Sequence, residues 1–174
     1  KNLRRDMEKV LTGAVGAAAG NSTTARTTAG LECWITTNAD HGSGGSTAGF
    51  SAAPGPAAPT DGTARVLSED NIRTAMLNAF TQGGEPSKLM VTPYHKMLIS
   101  KSFTGLATRM VEAKDKRLTA TISIYDSDFG PLTIVPNRFQ RWTSGSVNGC
   151  AFLLDPSLIS VAFLRSVQVH DQPV

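Results

Sequence analysis

Aliphatic and polar side chains alternate most regularly over residues 118–125. Aliphatic residues occupy the even positions from Leu118 to Ile124, and polar residues occupy the odd positions up to Tyr125. A period of two places one face of a strand against a core and leaves the other face polar. The turn-forming run DSDFG follows at 126–130, and the β-rich run after it is closed by a Pro-Asn pair. Residues 118–141 therefore predict a β-hairpin, with the Ile124 side on the core and a turn longer than two residues.

Helical spacing of apolar residues marks the beginning of the chain. Leu3, Met7, Val10, Leu11 and Ala14 fall on one side of a helix, and charged residues lie mostly on the other. The small residues that follow, up to position 19, would let a neighbouring segment approach closely. We expect an amphipathic helix whose second half is held by packing.

A second helix is predicted after Ser68, which is a good N-cap residue. Two acidic residues follow it and complement the positive end of the helix dipole. Leu67 can pack on Ile72 across the helix start, and the glycines at 83 and 84 supply the stop.

A short apolar strand is predicted at 88–92, followed by a third helix from Pro93 to about residue 103. Leu98 and Ile99 should be the buried residues of this helix. Helix, strand, helix and hairpin together predict an α+β unit.

The remaining segments show less pattern. Residues 31–35 form an apolar patch in which Trp34 is expected in the core. Residues 38–62 are rich in Gly, Ala, Ser and Pro and are interpreted as a long surface crossing between two subdomains. A phosphate-binding glycine loop is disfavoured there, because the GK[ST] ending is missing. Two further strands are predicted at 150–154 and 158–169, the second buried on both faces.

The composition is that of a globular protein. The chain has 174 residues, of which 40% are hydrophobic and 18% charged. This length suits one domain or two small subdomains. The formal charge of +3 is too small for a dedicated nucleic-acid binder, although positive charge could still be concentrated on one surface.

Catalytic and metal-binding motifs are not found. His41, His95 and His170 are far apart, with no HExxH spacing, and a GxSxG elbow is lacking. Cys33 and Cys150 are also distant in sequence, and we interpret them as buried or partly buried free thiols.

Two polar groups near the hairpin have a structural and a functional interpretation. Asp126 and Asp128 could form a carboxylate pair, but their spacing within a turn favours turn capping. Arg138 and Arg141 could contact nucleic acid, but arginines after a strand are more often ion-pair partners or solvated. We predict no catalytic, metal-binding or cofactor-binding residue and no enzymatic activity.

Four longer sequence segments, called words below, carry a specific resemblance to a known family. In chain order they are ARTTAGLECWITTN from Ala25, GGEPSKLMVTPYHKMLIS from Gly83, YDSDFGPLTIVPNRFQR from Tyr125 and AFLLDPSLISVAFLRSVQ from Ala151. Their order and spacing resemble those of the major capsid proteins of a group of tailed bacteriophages. The resemblance spans nearly the whole chain, and none of the four words is a catalytic signature.

The resemblance implies the Hong Kong 97-type phage major capsid fold, an α+β fold with an axial domain and a peripheral domain that contains a spine helix. Residues 1–60 would form the spine helix and crossover loop of the peripheral domain, and residues 61–149 the axial domain. Residues 150–174 would return to the peripheral domain as strands.

The resemblance also implies a structural virion protein that self-assembles into pentamers and hexamers of an icosahedral head enclosing DNA. Assembly in the bacterial host cytoplasm, scaffolding or decoration proteins, and weak non-specific contact with packaged DNA are expected with it. The charged run 104–117 is then either a solvated loop or a place for intersubunit contacts. The candidate contact residues are Arg4, Arg5, Glu8, Lys9, Arg109, Glu112, Lys114, Lys116 and Arg117.

In the resembling family, an N-terminal arm and an extended loop normally precede the word KNLRRDMEKVL with which this chain begins. We expect both to be missing here, and the chain to be a monomer or weak oligomer in dilute solution. Two other classes of protein remain open. An α+β enzyme would need a convergent polar pocket with a perturbed titratable pair, and a nucleic-acid-binding module would need a basic face.

Overall fold

The computed structural model describes residues 2–50, 54–102, 111–112, 117–118, 123–140 and 149–162. The helices within these residues are α1 (Asn2–Leu11), α2 (Leu31–Trp34), α3 (Glu69–Thr81) and α4 (Pro93–Ser102). The strands are β1 (Lys88–Val91), β2 (Val111–Glu112), β3 (Arg117–Leu118), β4 (Ile124–Ser127), β5 (Gly130–Pro136) and β6 (Ala151–Leu154). The architecture is a mixed α+β one with a small mixed sheet.

Helix α3 begins and ends as its sequence predicts. Ser68 and Asn71 form a capping box, in which each side chain accepts a hydrogen bond from the other residue's backbone N–H, at 3.3 and 3.1 Å. At the other end, Gly83 has a φ of 83°. The N–H groups of Gly83 and Gly84 donate to two carbonyls of the last helical turn, both at 2.9 Å, which is a Schellman termination.

Four strands form one sheet in the order β4-β5-β1-β6. Strand β1 lies between β5, its parallel partner, and β6, its antiparallel partner, so that Leu89 is opposite both Ile134 and Leu153. The strands predicted at 88–92 and 150–154 are thereby confirmed. Helix α4 lies in the long crossover that a parallel pair requires.

The main core lies between this sheet and helices α3 and α4. Ile99 of α4 is fully buried as predicted, while Leu98 is half-buried. The buried core residues are Ile72, Met76, Leu89, Val91, Ile99, Leu132 and Ile134. Because the strand residues among them alternate along β1 and β5, α3 and α4 cover the same sheet face.

The hairpin is confirmed, but its turn and its facing differ from the prediction. Ser127 pairs with Gly130, so the turn contains two residues rather than a longer loop. Tyr125 is opposite the buried Leu132 and packs against the core, whereas Ile124 is 65% exposed. Since opposite residues in a ladder point to the same side, this register turns Ile124 away from the core.

The carboxylates of the hairpin do not cap its turn. Ser127 does so instead: its hydroxyl donates to the Gly130 carbonyl at 2.8 Å and accepts the Phe129 N–H at 3.2 Å. Asp128 is largely exposed and lies 3.5 Å from Arg73 of α3. The capping prediction for Asp126 and Asp128 is therefore wrong, because a serine hydroxyl can both donate and accept within one tight turn.

Helix α1 is present but ends at Leu11, and residues 14–19 are not helical. Ala18 forms an isolated bridge with Thr27. The expected close approach does occur there, since a Cβ on Gly16 would lie 2.9 Å from the Ala58 nitrogen. Glycines weaken a helix, and here the backbone bonds instead to neighbouring extended segments.

The glycine-rich segment 38–62 is more than a surface crossing. Ala48 and Pro56 are buried, and Ala48 joins Ala29 and Cys33 in a second small core. The Pro56 carbonyl accepts the Ala17 N–H at 2.9 Å. Small side chains and prolines let several backbones pack closely, so that this segment contributes to the N-terminal part of the fold.

Three other expectations are corrected or lie outside the described residues. Trp34 is 57% exposed and contacts Phe50, with ring centroids 6.3 Å apart, so it is not a core residue. The run 104–117 contains β2, which pairs with β3, and is therefore not all loop. Residues 158–162 are exposed and not in a strand, and 163–169 are outside the described residues.

The free thiols are confirmed, with Cys33 buried and Cys150 half-buried.

Candidate functional site

A cleft of about 730 Å³ lies among the described residues. It is lined by the segments 31–42 and 61–67, by one side of α3, and by β6 with the residues after it. Much of its lining is apolar. Trp34, Val66 and Leu158, all in the lining, are 57%, 64% and 78% exposed. Exposed apolar side chains beside a groove are typical of surfaces that bind another protein.

Carboxylates outnumber cationic side chains in the lining of this cleft. The carboxylates are Glu32, Asp40, Asp61, Glu85 and Asp155, and the one described Lys or Arg side chain of the lining is Arg65. Arg65 pairs directly with Asp40. The cleft therefore has a net negative charge, which favours a cationic occupant.

Polar contacts join segment 38–42 to α3 beside the cleft. The amides of Asn38 and Gln82 exchange two hydrogen bonds, of 3.1 and 2.9 Å. The Asn71 amide donates to Asp40 at 3.3 Å. We call these contacts, together with the Asp40–Arg65 pair, the clasp. Asn38 has a φ of 55°, which is the left-handed conformation that Asn tolerates.

The clasp changes the titration of its carboxylate. The hydrogen bond from Arg65, with smaller help from Asn71, lowers the pKa of Asp40 below its ordinary 3.8 despite partial burial. Asp40 is thus held as a carboxylate by an ion pair at the surface, where nearly half of its side chain is exposed. This environment does not tune an acid or base towards neutral pH.

The cleft lining also contains two histidines, His41 and His95, and the thiol of Cys150. Thr92 caps the start of α4: its hydroxyl accepts the backbone N–H of His95 at 3.2 Å and lies 3.1 Å from Nδ1 of the His95 ring. Cys150 Sγ lies 3.8 Å from the Glu32 carboxylate. Among the described residues, His41 Nε2 is shielded from solvent without a hydrogen-bond partner, and no cluster of three or more metal-ligating side chains occurs.

The structure places only some of the predicted contact residues. Arg4, Arg5, Glu8 and Lys9 are exposed on α1, where Arg5 lies 3.6 Å from Asp6. Glu112 and Arg117 are brought together as backbone partners of the β2–β3 ladder. Arg109, Lys114 and Lys116 lie outside the described residues.

The sequence interpretation missed the cleft and the clasp. Asn38 and Gln82 are 44 residues apart, and Asp40 and Asn71 are 31 apart. No motif of fixed spacing joins such residues. Asn38, the first residue of the glycine-rich segment, indicates a turn but not the residue with which it pairs.

Comparison with protein families decides what kind of protein contains this cleft. A family model described as SU10 major capsid protein matches residues 1–174. The chain belongs to this family. It is therefore a major capsid protein of a bacteriophage, a structural protein of the virion, and the resemblance inferred from the four sequence words is confirmed. A search of curated proteins finds no match.

Membership of a capsid family makes the surfaces of the chain its functional parts. A shell protein acts by contacting other subunits, so exposed apolar and charged patches carry the function that a catalytic pocket carries in an enzyme. Within the described part of the chain, no helix has the length and apolarity to cross a membrane.

Proposed function

We propose that this chain self-assembles into pentamers and hexamers, which form the icosahedral shell of a phage head around DNA. The family match over residues 1–174 is the observation that carries the proposal. Closed shells of one protein need the same subunit to repeat its contacts around symmetry axes, and many modest contacts then act together.

A Hong Kong 97-type arrangement is part of this proposal. Residues 61–149 would form the axial domain, residues 1–60 the spine helix and crossover of the peripheral domain, and residues 150–174 the returning strands. Among the described elements, α3, α4 and strands β1, β4 and β5 lie within the proposed axial range. Strand β6 of the returning segment pairs with β1 in the same sheet, and α1 and the second small core precede the axial range.

The structural role is favoured over an enzymatic one. An enzyme of this class would need a perturbed titratable pair in a concave site. The cleft holds an ion pair, Asp40 with Arg65, and this pair lowers the pKa of Asp40. A carboxylate of lowered pKa at the surface is a poor general acid or base at neutral pH.

Further partners belong to the same proposal. A shell around DNA would bring its inner surface into weak, salt-dependent contact with the packaged phosphates. Scaffolding or decoration proteins would be further partners, and assembly would take place in the host cytoplasm.

The test is the mass of the protein in solution. Light scattering and negative-stain electron microscopy would be applied at several concentrations to the chain alone and to the product of its complete reading frame. Megadalton closed particles from the latter are expected. If that product stays small at every concentration, the shell proposal is wrong.

A further inference from the structure

The cleft has the size and the lining of a small-molecule site. Its volume of about 730 Å³ lies within the range of ligand pockets, roughly 300–1,000 Å³. Much of the lining is apolar, and Trp34 within it is 57% exposed. A ligand with apolar segments would remove this surface from water on binding.

The net charge of the cleft is opposite in sign to that of the chain. The formal charge of the chain is +3, whereas the described lining contains five carboxylates and one arginine. That arginine, Arg65, is already paired with Asp40. The cleft is therefore negative within a positively charged chain, so a ligand that complements it is cationic.

The other carboxylates of the lining are spread out rather than clustered. Glu32, Asp61, Glu85 and Asp155 come from four separate segments of the chain. Within the described residues, no three metal-ligating side chains come together. A metal ion needs its ligands around one point. The arrangement in the cleft instead suits a ligand whose positive charges are themselves set apart.

An aromatic pair adds a second feature of sites for organic cations. Glu32 and Trp34 of α2 both line the cleft, and Phe50 lies beside Trp34, with ring centroids 6.3 Å apart. The face of an indole attracts an ammonium group by about 0.5–1 kcal/mol at an exposed position. Carboxylates and an exposed indole in one cleft therefore favour alkylammonium groups.

We infer that the cleft binds a linear aliphatic polyamine, a molecule whose protonated amines are separated by methylene groups. Its ammonium groups would pair with the separate carboxylates and contact Trp34, and its methylene groups would cover the apolar part of the lining. This inference goes beyond the proposed shell function and does not depend on it. Particle formation tests the one and ligand binding the other, so either can fail alone.

Spermidine and hexaamminecobalt(III) are matched probes, because both carry three positive charges and only spermidine has methylene groups. Each is titrated at low salt into the ¹⁵N-labelled chain, and the indole N–H signals of its two tryptophans are followed by NMR. Trp34→Phe identifies the signal of Trp34. We expect this signal to shift saturably, and spermidine to bind at least about fivefold more tightly than the cobalt complex. Equal affinities, or a Trp34 signal that does not move, would overturn the inference.

Carboxylate variants locate the binding by calorimetry. Glu32→Gln with Glu85→Gln should weaken spermidine binding by about tenfold. Asp70→Asn with Asp126→Asn makes the same change of net charge at exposed residues outside the lining, and should leave the affinity within about twofold. Glu85→Gln alone should weaken binding about threefold, which keeps the test decisive if melting curves show the double variant unfolded. Equal losses in the cleft and control variants would mean that spermidine binds elsewhere.

An aromatic variant tests the role assigned to the indole. Trp34→Leu keeps an apolar side chain but removes the ring, and should weaken spermidine binding about threefold. Phe80→Leu is the control, since Phe80 is a 52% exposed aromatic residue outside the lining. An unchanged affinity in Trp34→Leu would contradict the proposed contact.

Lysine side chains of a protein would present the same ammonium chemistry. A capped tripeptide of lysine, leucine and lysine is therefore the third probe, titrated under the same conditions. We expect it to bind more weakly than spermidine, because its two amines lie on separate flexible side chains whose ordering costs entropy. Tighter binding of the tripeptide would assign the cleft to a protein segment and overturn the inference.

Discussion

The hydroxyl of Tyr125 donates a hydrogen bond of 2.8 Å to Oε1 of Glu69. Glu69 opens α3 and Tyr125 lies in β4, so this bond fixes the hairpin against the helix. Phe80 and Phe129 make a second contact between the same two elements, with ring centroids 5.3 Å apart. The hairpin, which carries the most distinctive sequence word, is thus positioned by α3.

This contact predicts a dependence of stability on alkaline pH. Burial, together with the hydrogen bond to Glu69, raises the pKa of Tyr125 from 10.0 to about 12. The folded state therefore retains a proton that the unfolded state has lost between these values. The stabilisation is complete below pH 10 and is lost as the pH rises through the raised pKa of the folded state.

Replacing Tyr125 tests this linkage. Tyr125→Phe should lower the free energy of unfolding by about 1 kcal/mol at neutral pH, since a hydrogen bond is lost. It should also remove the extra decline above pH 10 that urea unfolding of the parent would show. Tyr94→Phe serves as the control and should retain the decline. If both variants behave alike, Tyr125 is not its source.

The clasp predicts an acid dependence through Asp40. Because Arg65 lowers its folded pKa, Asp40 stabilises the folded state at and above its ordinary pKa of 3.8, and this contribution is lost as the pH falls through the lower folded value. Asp40→Asn should flatten that part of the acid unfolding curve. The effect should shrink in high salt, since the pair is half exposed. Asp126→Asn, an exposed carboxylate of the hairpin, should leave the curve unchanged.

Local chemistry explains which elements could be predicted from the sequence. Ser68 and Gly83 define α3 through bonds to residues at most four positions away, and the alternation around Leu89 defines a short strand. The order of the strands does not follow from such patterns. It depends on β1 pairing with β5, more than 40 residues later, and no local propensity specifies that partner.

Two kinds of prediction failed: which side chains point towards the core, and which residues distant in sequence are in contact. Ile124 is the more apolar residue, yet Tyr125 faces the core, because the two-residue turn fixes the register and the Tyr125 hydroxyl finds Glu69. Trp34 was expected inside and lies outside beside Phe50. The α1 charges proposed as contacts were located on an exposed helix, but their role as intersubunit contacts stays a prediction.

Burial separates two methionines that lie on neighbouring helices. Met76 of α3 is fully buried in the main core, whereas Met97 of α4 is 62% exposed. Met76→Ala should lower the free energy of unfolding by about 2–5 kcal/mol, because it leaves a cavity. Met97→Ala should change it by less than about 0.5 kcal/mol. Urea unfolding of both variants checks the difference, and similar losses would mean that α3 does not pack on the sheet as described.

The contact between Gly13 and Gly30 predicts a steric requirement in the N-terminal part of the chain. Gly30 has a φ of −77° and a ψ of 164°, which any residue adopts, so backbone strain would not oppose an alanine there. Its added Cβ would instead overlap the Gly13 carbonyl oxygen. Gly30→Ala must therefore separate the end of α1 from the start of α2, at a cost of about 1–3 kcal/mol in the free energy of unfolding.

Gly49 provides the matched control, because a Cβ there would have no atom within 4 Å and its φ is not positive. Gly49→Ala should leave the free energy of unfolding unchanged or raise it by about 0.4–1 kcal/mol, through the reduced entropy of the unfolded chain. Hydrogen exchange should show faster exchange around residues 30–33 only in the Gly30 variant, since the Cys33 N–H bonds to the Gly30 carbonyl at 3.0 Å. Equal stability of the two variants would show that the two glycine backbones are not in contact.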